Sequence, residues 1–278
     1  MTNILAITWA PSPEIFSIGP IHLRYYSILF VSGFIIGYYI VSGFFKREKL
    51  PTNILDTLLY SLLGATLVGA RLGHCLFYQP EYYLAHPIEI LKVWEGGLAS
   101  HGGAIAILLT MWWFVAKYGK QFKFDFLWLM DRIMIPTALT AAMIRLGNLM
   151  NSEIYGNPTD LPWGFIFTLS GETVPKHPTQ LYEALAYLSV FVILLFIYKK
   201  FLPTLKRGTL FAIFLIGMFA SRFFIEFAKE PQVPFEQGMT LNMGQWLSIP
   251  FVAGGVLLLI FSIYKGKPAM IEARKVSK

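Results

Sequence analysis

Long apolar stretches recur along the chain and define its predicted architecture. Seven segments carry the roughly 20 apolar residues that an α-helix needs to cross about 30 Å of hydrocarbon. These predicted spans are Tyr25–Phe45, Ile54–Tyr78, Gly97–Ala116, Phe126–Leu149, Thr179–Tyr198, Gly208–Phe227 and Leu241–Tyr264. The first, third and seventh contain no Asp, Glu, Lys or Arg. The pattern predicts an all-α, polytopic membrane protein, with residues 1–278 as a single integral membrane domain.

The composition supports this prediction. Of the 278 residues, 55% are hydrophobic and only 14% are charged, whereas soluble domains carry about 25% charged residues. These values rule out a disordered chain and disfavour a soluble enzyme. The single cysteine, Cys75, cannot form an internal disulfide or a CxxC metal or redox site, so we expect it to be a packing residue.

Basic residues concentrate on one side of the predicted spans. Fifteen of the 23 follow the first, third, fifth or seventh span: Lys46, Arg47, Lys49, Lys117, Lys120, Lys123, Lys199, Lys200, Lys206, Arg207, Lys265, Lys267, Arg274, Lys275 and Lys278. Because cytoplasmic loops carry an excess of Lys and Arg, we expect the N-terminus outside and the C-terminus in the cytoplasm. The net charge of +7 is then a topology signal and does not indicate a nucleic-acid partner.

Two connections on the predicted outer side are long. Residues 79–96 contain aromatic residues and are predicted to lie along the membrane interface as an amphipathic arm. Residues 150–178 are rich in Pro, Gly and polar residues and are predicted to form a small external head between the fourth and fifth spans. Two GxxxG pairs, Gly33/Gly37 and Gly69/Gly73, predict close helix packing.

Polar residues inside the spans share one predicted depth. An ionisable residue in a span costs about 2.5–3.5 kcal/mol on insertion scales and is a functional candidate by default. The direction of each span places five such side chains in the outer third of the membrane: Tyr26, Arg71, His101, Arg145 and Arg222. The sequence therefore predicts that polar groups from five helices converge there.

The arginines among them suggest a lipid phosphate site. A guanidinium offers five donors in a planar fork that matches a phosphate group. Helical spacing places Asn148 on the face of Arg145, and Glu226 on the face of Arg222. The alternative is snorkelling of each arginine to the interface. A lone arginine would favour that alternative, whereas arginines on three different helices favour a shared phosphate site.

His101 lies in a glycine-rich segment, residues 96–103. Histidine exchanges protons near neutral pH, so His101 is a candidate for proton transfer. From this segment alone, a packed histidine at a tight helix start remains the alternative. The adjacent Asp131 and Arg132 face different directions, and we expect a structural ion pair with another helix. No spacing of His, Cys, Asp or Glu indicates a metal site.

The stretch Arg145–Gly156, which reads RLGNLMNSEIYG, resembles the signature of the bacterial prolipoprotein diacylglyceryl transferases. It departs from that signature at Ile144, where the family usually has Gly, and at Leu149, where it usually has Phe. Both are packing changes that leave every polar group in place. Further segments agree with the family in order along nearly the whole chain: Arg24–Tyr26, Gly69–Gly73, Trp94–Gly97, His101–Gly103, His177–Glu183 and Arg222–Phe227.

The resemblance implies a specific reaction. Enzymes of this family move the diacylglyceryl group of phosphatidylglycerol onto the thiol of a lipobox cysteine in a preprolipoprotein. The product is a thioether, glycerol phosphate leaves, and the step is the first in bacterial lipoprotein maturation. The implied partners are phosphatidylglycerol, lipobox signal peptides and the lipid bilayer, without a cofactor or metal. The implied location is the bacterial cytoplasmic membrane, with the active site facing the outer leaflet.

Roles for individual residues follow as expectations. We expect His101 to accept the thiol proton, Tyr26 to take part in proton transfer or lipid binding, and the arginines at 145 and 222 to stabilise the departing phosphate. Glu226 is expected to orient its neighbouring arginine. The remaining substrate-site candidates are Asn148 and Glu153, which would shape the headgroup site, Asn151 and Gly156, which would set the loop geometry, and Arg71, a weaker phosphate candidate.

Two other classes of protein could also use membrane arginines. A transporter or channel for an anionic solute needs polar groups through both leaflets, yet the cytoplasmic half offers mainly Asp131 and Arg132. Transporters also often contain repeated halves, and no repeat is visible. A different phospholipid-headgroup transferase is the nearer alternative, and only the family motifs argue against it.

Overall fold

The computed structural model describes residues 6–271, except for 20, 94–95, 232–235 and 237. Its α-helices are α1 (Tyr25–Arg47), α2 (Thr52–Phe77), α3 (Pro80–Ala85), α4 (Ser100–Phe122), α5 (Phe126–Met150), α6 (Thr179–Phe201), α7 (Thr209–Ile225) and α8 (Met243–Lys265). All except α3 are long and apolar enough to cross a membrane, which makes seven candidate spans within the described residues. The chain is thus a mostly helical, multi-pass membrane protein, as predicted.

The helix boundaries differ most from prediction at α4. The predicted span was Gly97–Ala116, whereas the helix begins at Ser100 and ends at Phe122. Gly96 and Gly97 have φ angles of 89° and 66°, in the left-handed region that a right-handed helix cannot include. The predicted motif residues Trp94 and Glu95 lie outside the described part of the chain.

The chain divides into two compact units. The first combines the residues up to Ile40 with Met130–Met270, and the second contains Val41–Leu129 together with Ile271. The first unit thus contains α6, α7 and α8 and most of α1 and α5, and the second contains α2, α3 and α4.

In the first unit, α1 packs closely against α5. A Cβ atom added at Gly33 would lie 2.8 Å from Cγ2 of Thr140, and one added at Gly37 would lie 3.2 Å from Cβ of Pro136. Both glycines therefore lie where a larger side chain would push the helices apart. The close packing predicted from this GxxxG pair is confirmed.

Asp131 and Arg132 are fully buried and hold other elements of the first unit in place. The carboxylate of Asp131 accepts hydrogen bonds from the backbone N–H groups of Gly208 (2.8 Å) and Phe211 (2.9 Å), where α7 begins. Arg132 donates to the carbonyl of Ala269 at 2.9 Å, and its guanidinium lies 3.9 Å from the Asp131 carboxylate. The two side chains thus have a structural role, which depends mainly on hydrogen bonds to backbone groups.

Residues between α5 and α6 form a small, largely non-helical head that includes part of the N-terminal segment. Strand β1 (Ile7–Trp9) pairs in parallel with β4 (Phe165–Phe167), and the indole of Trp9 donates to the carbonyl of Leu149 at 2.9 Å. Strands β2 (Glu14–Ile18) and β3 (Ile21–Arg24) form an antiparallel hairpin. The apolar pattern did not predict these short strands.

In the second unit, α2 and α4 cross at glycines. A Cβ at Gly69 would lie 2.7 Å from the carbonyl oxygen of Gly102, and one at Gly73 would lie 2.8 Å from its Cα. This close approach confirms the packing predicted from the second GxxxG pair. Cys75, on the same helix, is a free and buried cysteine, as expected of a packing residue.

The predicted arm after α2 is largely helical. It contains α3 and a 3₁₀ turn at Pro87–Leu91. The apolar side chains that it exposes are Tyr82, Leu84, Ile88 and Leu91.

Candidate active site

A cavity of about 230 Å³ lies between α5, α6 and α7 in the first unit. Its lining residues are Ala141, Ile144, Arg145, Tyr187, Phe214, Met218, Phe219 and Arg222. Most of these side chains are apolar, and the two arginines supply the positive charge. Guanidinium groups from two separate helices therefore line one cavity.

Arg145 is held by groups from two helices. Its Nε lies 3.0 Å from Oε2 of Glu183, which is fully buried at the start of α6. Its Nη1 donates to Oδ1 of Asn148, one turn along α5, at 3.4 Å. The side chain keeps 17% of its surface exposed. These contacts fix the guanidinium while leaving part of it accessible.

Arg222, in the last turn of α7, is less engaged. Its Nε lies 3.9 Å from Oε2 of Glu226 and is buried without a hydrogen-bond partner. Within the described residues, Arg222 donates no hydrogen bond, and 36% of its side chain is exposed. Its terminal nitrogens are therefore available to a ligand in the cavity.

Lys229 links the two carboxylates that accompany these arginines. Its Nζ donates to Oε1 of Glu183 at 2.9 Å and to Oε2 of Glu226 at 3.2 Å, and its side chain is only 3% exposed. The resulting charged cluster consists of Arg145, Glu183, Lys229, Glu226 and Arg222. Three cations against two carboxylates leave one excess positive charge, which suits a singly charged phosphodiester.

Two members of this charged cluster, Glu183 and Lys229, were not among the site residues predicted from the sequence. A signal for each was present. Glu183 is a carboxylate at the start of an apolar span, where a charge is costly without a partner. Lys229 follows Glu226 at the i,i+3 spacing that brings helical side chains together.

The signature residues after Arg145 form a hydrogen-bonded turn at the end of α5. Nδ2 of Asn148 donates to Oε1 of Glu153 at 2.8 Å, and Nδ2 of Asn151 donates to the same oxygen at 3.2 Å. Ser152 and Ile154 adopt positive φ angles of 53° and 61°. Asn148, which is buried, thereby connects Arg145 with the exposed carboxylate of Glu153.

Gly156 allows this signature loop to approach the end of α7. A Cβ at Gly156 would overlap the carbonyl oxygen of Ala228 and would lie 2.7 Å from Cγ2 of Thr179. The next residue, Asn157, donates from its side chain to the carbonyl of Lys229 at 3.0 Å. Because Gly156 has no side chain, the signature loop can lie close to the segment that carries Lys229 and bind it.

Tyr26 lies in the first turn of α1 and packs on α5. A Cβ at Gly147 would lie 2.7 Å from Cδ2 of the Tyr26 ring. The half-buried ring therefore contacts α5 two residues after Arg145.

His101 and Arg71 belong to the second unit. His101 is the second residue of α4, and its exposed ring lies 5.3 Å from the ring of Phe77, edge to face. It makes no hydrogen bond with any residue that the structure describes. His101 is not among the residues that line the cavity of the first unit.

Arg71 is engaged by the arm. It donates to the carbonyls of Glu89 (2.6 Å), Ile90 (2.9 Å) and Gly96 (2.6 Å), and it is 4% exposed. The sequence made Arg71 a weaker phosphate candidate. Because its donors are used by backbone carbonyls, we assign it a structural role in holding the arm to α2.

Known proteins resemble this chain over most of its length. Residues 13–261 match the family described as prolipoprotein diacylglyceryl transferase. A protein of Tolumonas auensis named phosphatidylglycerol–prolipoprotein diacylglyceryl transferase is 50% identical over 254 residues, which cover 91% of this chain and 96% of the relative. Relatives of the same name are 45% identical in Chloroherpeton thalassium (96% and 97% covered) and 42% identical in Bacteroides fragilis (94% and 97% covered). The chain therefore belongs to the prolipoprotein diacylglyceryl transferase family.

Proposed function

We propose that this protein transfers the diacylglyceryl group of phosphatidylglycerol to the thiol of the lipobox cysteine in a preprolipoprotein. One observation carries the proposal: Arg145 and Arg222, on different helices, line a single, otherwise largely apolar cavity. Such a cavity suits the phosphate of a lipid. The names of the relatives, which include both phosphatidylglycerol and prolipoprotein, support the same reaction.

In the proposed reaction, a carbon–sulfur bond forms and a carbon–oxygen bond breaks. The thiolate attacks the glyceryl carbon that carries the phosphate, and glycerol phosphate leaves with the electrons of the carbon–oxygen bond. The phosphate gains negative charge as it departs. Arg145 and Arg222 stabilise that charge with guanidinium groups that are already in place, which avoids reorganisation during the reaction.

The groups around the arginines have supporting roles. Glu183 and Glu226 orient the two guanidinium groups. Asn148 and Glu153 shape the site for the lipid headgroup. Asn151 and Gly156 maintain the geometry of the signature loop.

The thiol of the substrate must lose its proton. Only a few per cent of a free cysteine is thiolate at neutral pH. A general base can accelerate such a step by about 10²–10⁴-fold. We assign this role to His101, and Tyr26 takes part in proton transfer or lipid binding.

The proposed location is the bacterial cytoplasmic membrane, with the charged cluster facing the outer leaflet. The distribution of basic residues supports an N-terminus outside and a C-terminus in the cytoplasm. In this orientation the head is external, and the arm lies along the outer interface. Both proposed substrates are then accessible, since secreted preproteins emerge on that side.

A permeation function is less well supported. Asp131 and Arg132, the main charged groups expected in the cytoplasmic half, bind backbone groups of their own unit. They are therefore not available to line a route for an anion. The other alternative is a different phospholipid-headgroup transferase. It differs from the proposed enzyme in the acceptor, which in the proposed reaction is the lipobox cysteine.

The test supplies purified protein with phosphatidylglycerol and a synthetic lipobox peptide, and measures the peptide by mass spectrometry. We expect the peptide to gain the mass of a diacylglyceryl group on its cysteine, with release of glycerol phosphate. A matched peptide with serine in place of cysteine should remain unmodified. No gain on the cysteine peptide, or an equal gain on the serine peptide, would contradict the proposal.

A further inference from the structure

Lys229 has an unusual environment for a lysine. Lysines are almost never fully buried unless they are paired, and this one is 3% exposed. Its ammonium group donates to Glu183, which comes from α6, and to Glu226, which follows the end of α7. A buried amine that bridges two carboxylates from different elements fixes the positions of both.

Each of these carboxylates also accompanies one arginine of the cavity. Glu183 lies 3.0 Å from Nε of Arg145, and Glu226 lies 3.9 Å from Nε of Arg222. Lys229 itself is not among the residues that line the cavity. Its side chain therefore does not contact a ligand there, and it affects one through its charge and through the two carboxylates that it positions.

We infer that Lys229 is a positioning residue for diacylglyceryl transfer, because it sets the relative placement of Arg145 and Arg222 through Glu183 and Glu226. The inference rests on the proposed function. It extends the site beyond the cavity to the segment after α7.

The backbone of Lys229 is fixed as firmly as its side chain. Its N–H donates to the carbonyl of Glu226 at 3.2 Å, and its carbonyl accepts from the side chain of Asn157 at 3.0 Å. The N–H of Asn157 also donates to the carbonyl of Ala228 at 2.8 Å. The signature loop therefore anchors the base of the bridge, so that a shift at Lys229 would be carried to the carboxylates.

Loss of the ammonium group would change both charge and geometry. Without it, the two remaining cations of the cluster are balanced by two carboxylates, and the excess positive charge disappears. The two carboxylates would also lose the group that holds them together, and an unpaired buried charge is strongly unfavourable. The carboxylate beside each arginine would then be free to shift.

The chain offers a matched control in Lys176. This lysine is also buried in the first unit, and its Nζ forms ion pairs with Glu172 (3.3 Å) and Glu230. Neither of these carboxylates belongs to the charged cluster. Lys176→Met and Lys229→Met thus each remove an ammonium group that bridges two carboxylates, but only the second bridge includes the carboxylates beside the arginines.

The experiment measures kcat and KM for phosphatidylglycerol and for the lipobox peptide, together with thermal stability. Because a displacement of about 1 Å in a catalytic group can cost about 100-fold in rate, we expect Lys229→Met to lower kcat/KM for phosphatidylglycerol by about that factor. The KM for the peptide should stay unchanged. Lys229→Arg should recover most of the activity, and Lys176→Met should retain wild-type kinetics even where it lowers stability.

If Lys229→Met does not fold, Lys229→Gln replaces it in this test, because glutamine keeps two N–H donors but carries no charge. It should also lower turnover with phosphatidylglycerol. Normal turnover of Lys229→Gln would overturn the inference. So would equal losses of activity in Lys229→Met and Lys176→Met, or a Lys229→Arg variant that folds but is as inactive as Lys229→Met. A wild-type protein that yields no lipidated peptide would instead refute the proposed function, and this inference with it.

Discussion

The carboxylate of Glu183 is fully buried, and its Oε2 lies 3.0 Å from Nε of Arg145 on the neighbouring helix α5. The other carboxylate oxygen accepts from Lys229 at 2.9 Å and from the hydroxyl of Tyr187 at 3.3 Å. This one side chain therefore joins α5, α6 and the segment after α7, and it aims a guanidinium group at the cavity.

Replacement of this carboxylate tests its importance. Glu183→Gln keeps the shape but removes the buried carboxylate beside Arg145 and one of the two that pair with Lys229. Breaking a buried ion pair in this way typically costs about 3–5 kcal/mol of stability. We expect a lower melting temperature and at least a tenfold loss of turnover, since Arg145 would no longer be oriented. Glu172→Gln, a carboxylate outside the cluster, is the control and should retain turnover. Equal activity of the Glu183→Gln variant and the wild type would contradict the proposed role.

The assignment of His101 predicts a change in pH dependence. A histidine base accepts a proton only in its neutral form, so the wild-type rate should fall as the pH drops below neutrality. His101→Asn should slow the reaction by about 10²–10⁴-fold and change the shape of this dependence, because the rate would then follow the thiolate fraction of the substrate up to a pKa of about 8.5. The pH–rate profile of kcat/KM is the measurement, with the exposed His22→Asn as the control. If the His101→Asn profile keeps its wild-type shape, another group deprotonates the thiol.

Substitution by alanine should have opposite effects on stability at two glycines of α2. A Cβ at Gly69 would overlap Cβ of Ala106 on α4, whereas one at Gly64 would meet no atom within 4 Å. Gly69→Ala should therefore destabilise the protein by about 1–3 kcal/mol through overpacking. Gly64→Ala should be neutral or stabilise by up to about 1 kcal/mol, because alanine favours helix. Unfolding in detergent distinguishes the two, and equal effects would contradict the close crossing of α2 and α4.

The head contains a tyrosine whose titration should affect stability. Burial, and then a hydrogen bond from its hydroxyl to Glu172, raises the pKa of Tyr155 from 10.0 to about 12. A raised pKa means that the stabilising contribution is complete below pH 10 and is lost as the pH rises toward 12. The difference in stability between wild type and Tyr155→Phe should be constant below pH 10 and shrink above it. A difference that persists unchanged at pH 12 would refute this effect.

Much of the membrane fold follows from the sequence because one physical requirement dominates it. A span must be apolar over about 20 residues, and this pattern is visible without tertiary information. The same holds for Gly33 and Gly69, since small residues at regular spacing mark helix contacts. Arg145 and Arg222 were predicted to meet because the directions of their spans place them at one depth.

Other features depend on contacts that a linear pattern does not contain. The partner of Glu183 is set by the rotation of α6 about its axis, which an apolar sequence leaves open. Arg71 binds carbonyls of the arm because Gly96 turns the chain back with a positive φ angle. Strand β1 pairs with β4 across more than 150 residues of sequence, a long-range contact that local pattern cannot reveal.

A double-mutant cycle on Arg145 and Arg222 gives the sharpest test of a shared phosphate site. Arg145→Ala, Arg222→Ala and the double variant are compared with wild type by kcat/KM for phosphatidylglycerol, after normal membrane insertion of each is established. Each single variant should lose about 10²–10³-fold, as expected for groups that stabilise developing charge. Because both arginines act on one phosphate, the double variant should lose little more than the less active of the single variants. Losses that multiply, or near-normal turnover of Arg145→Ala, would contradict a common site.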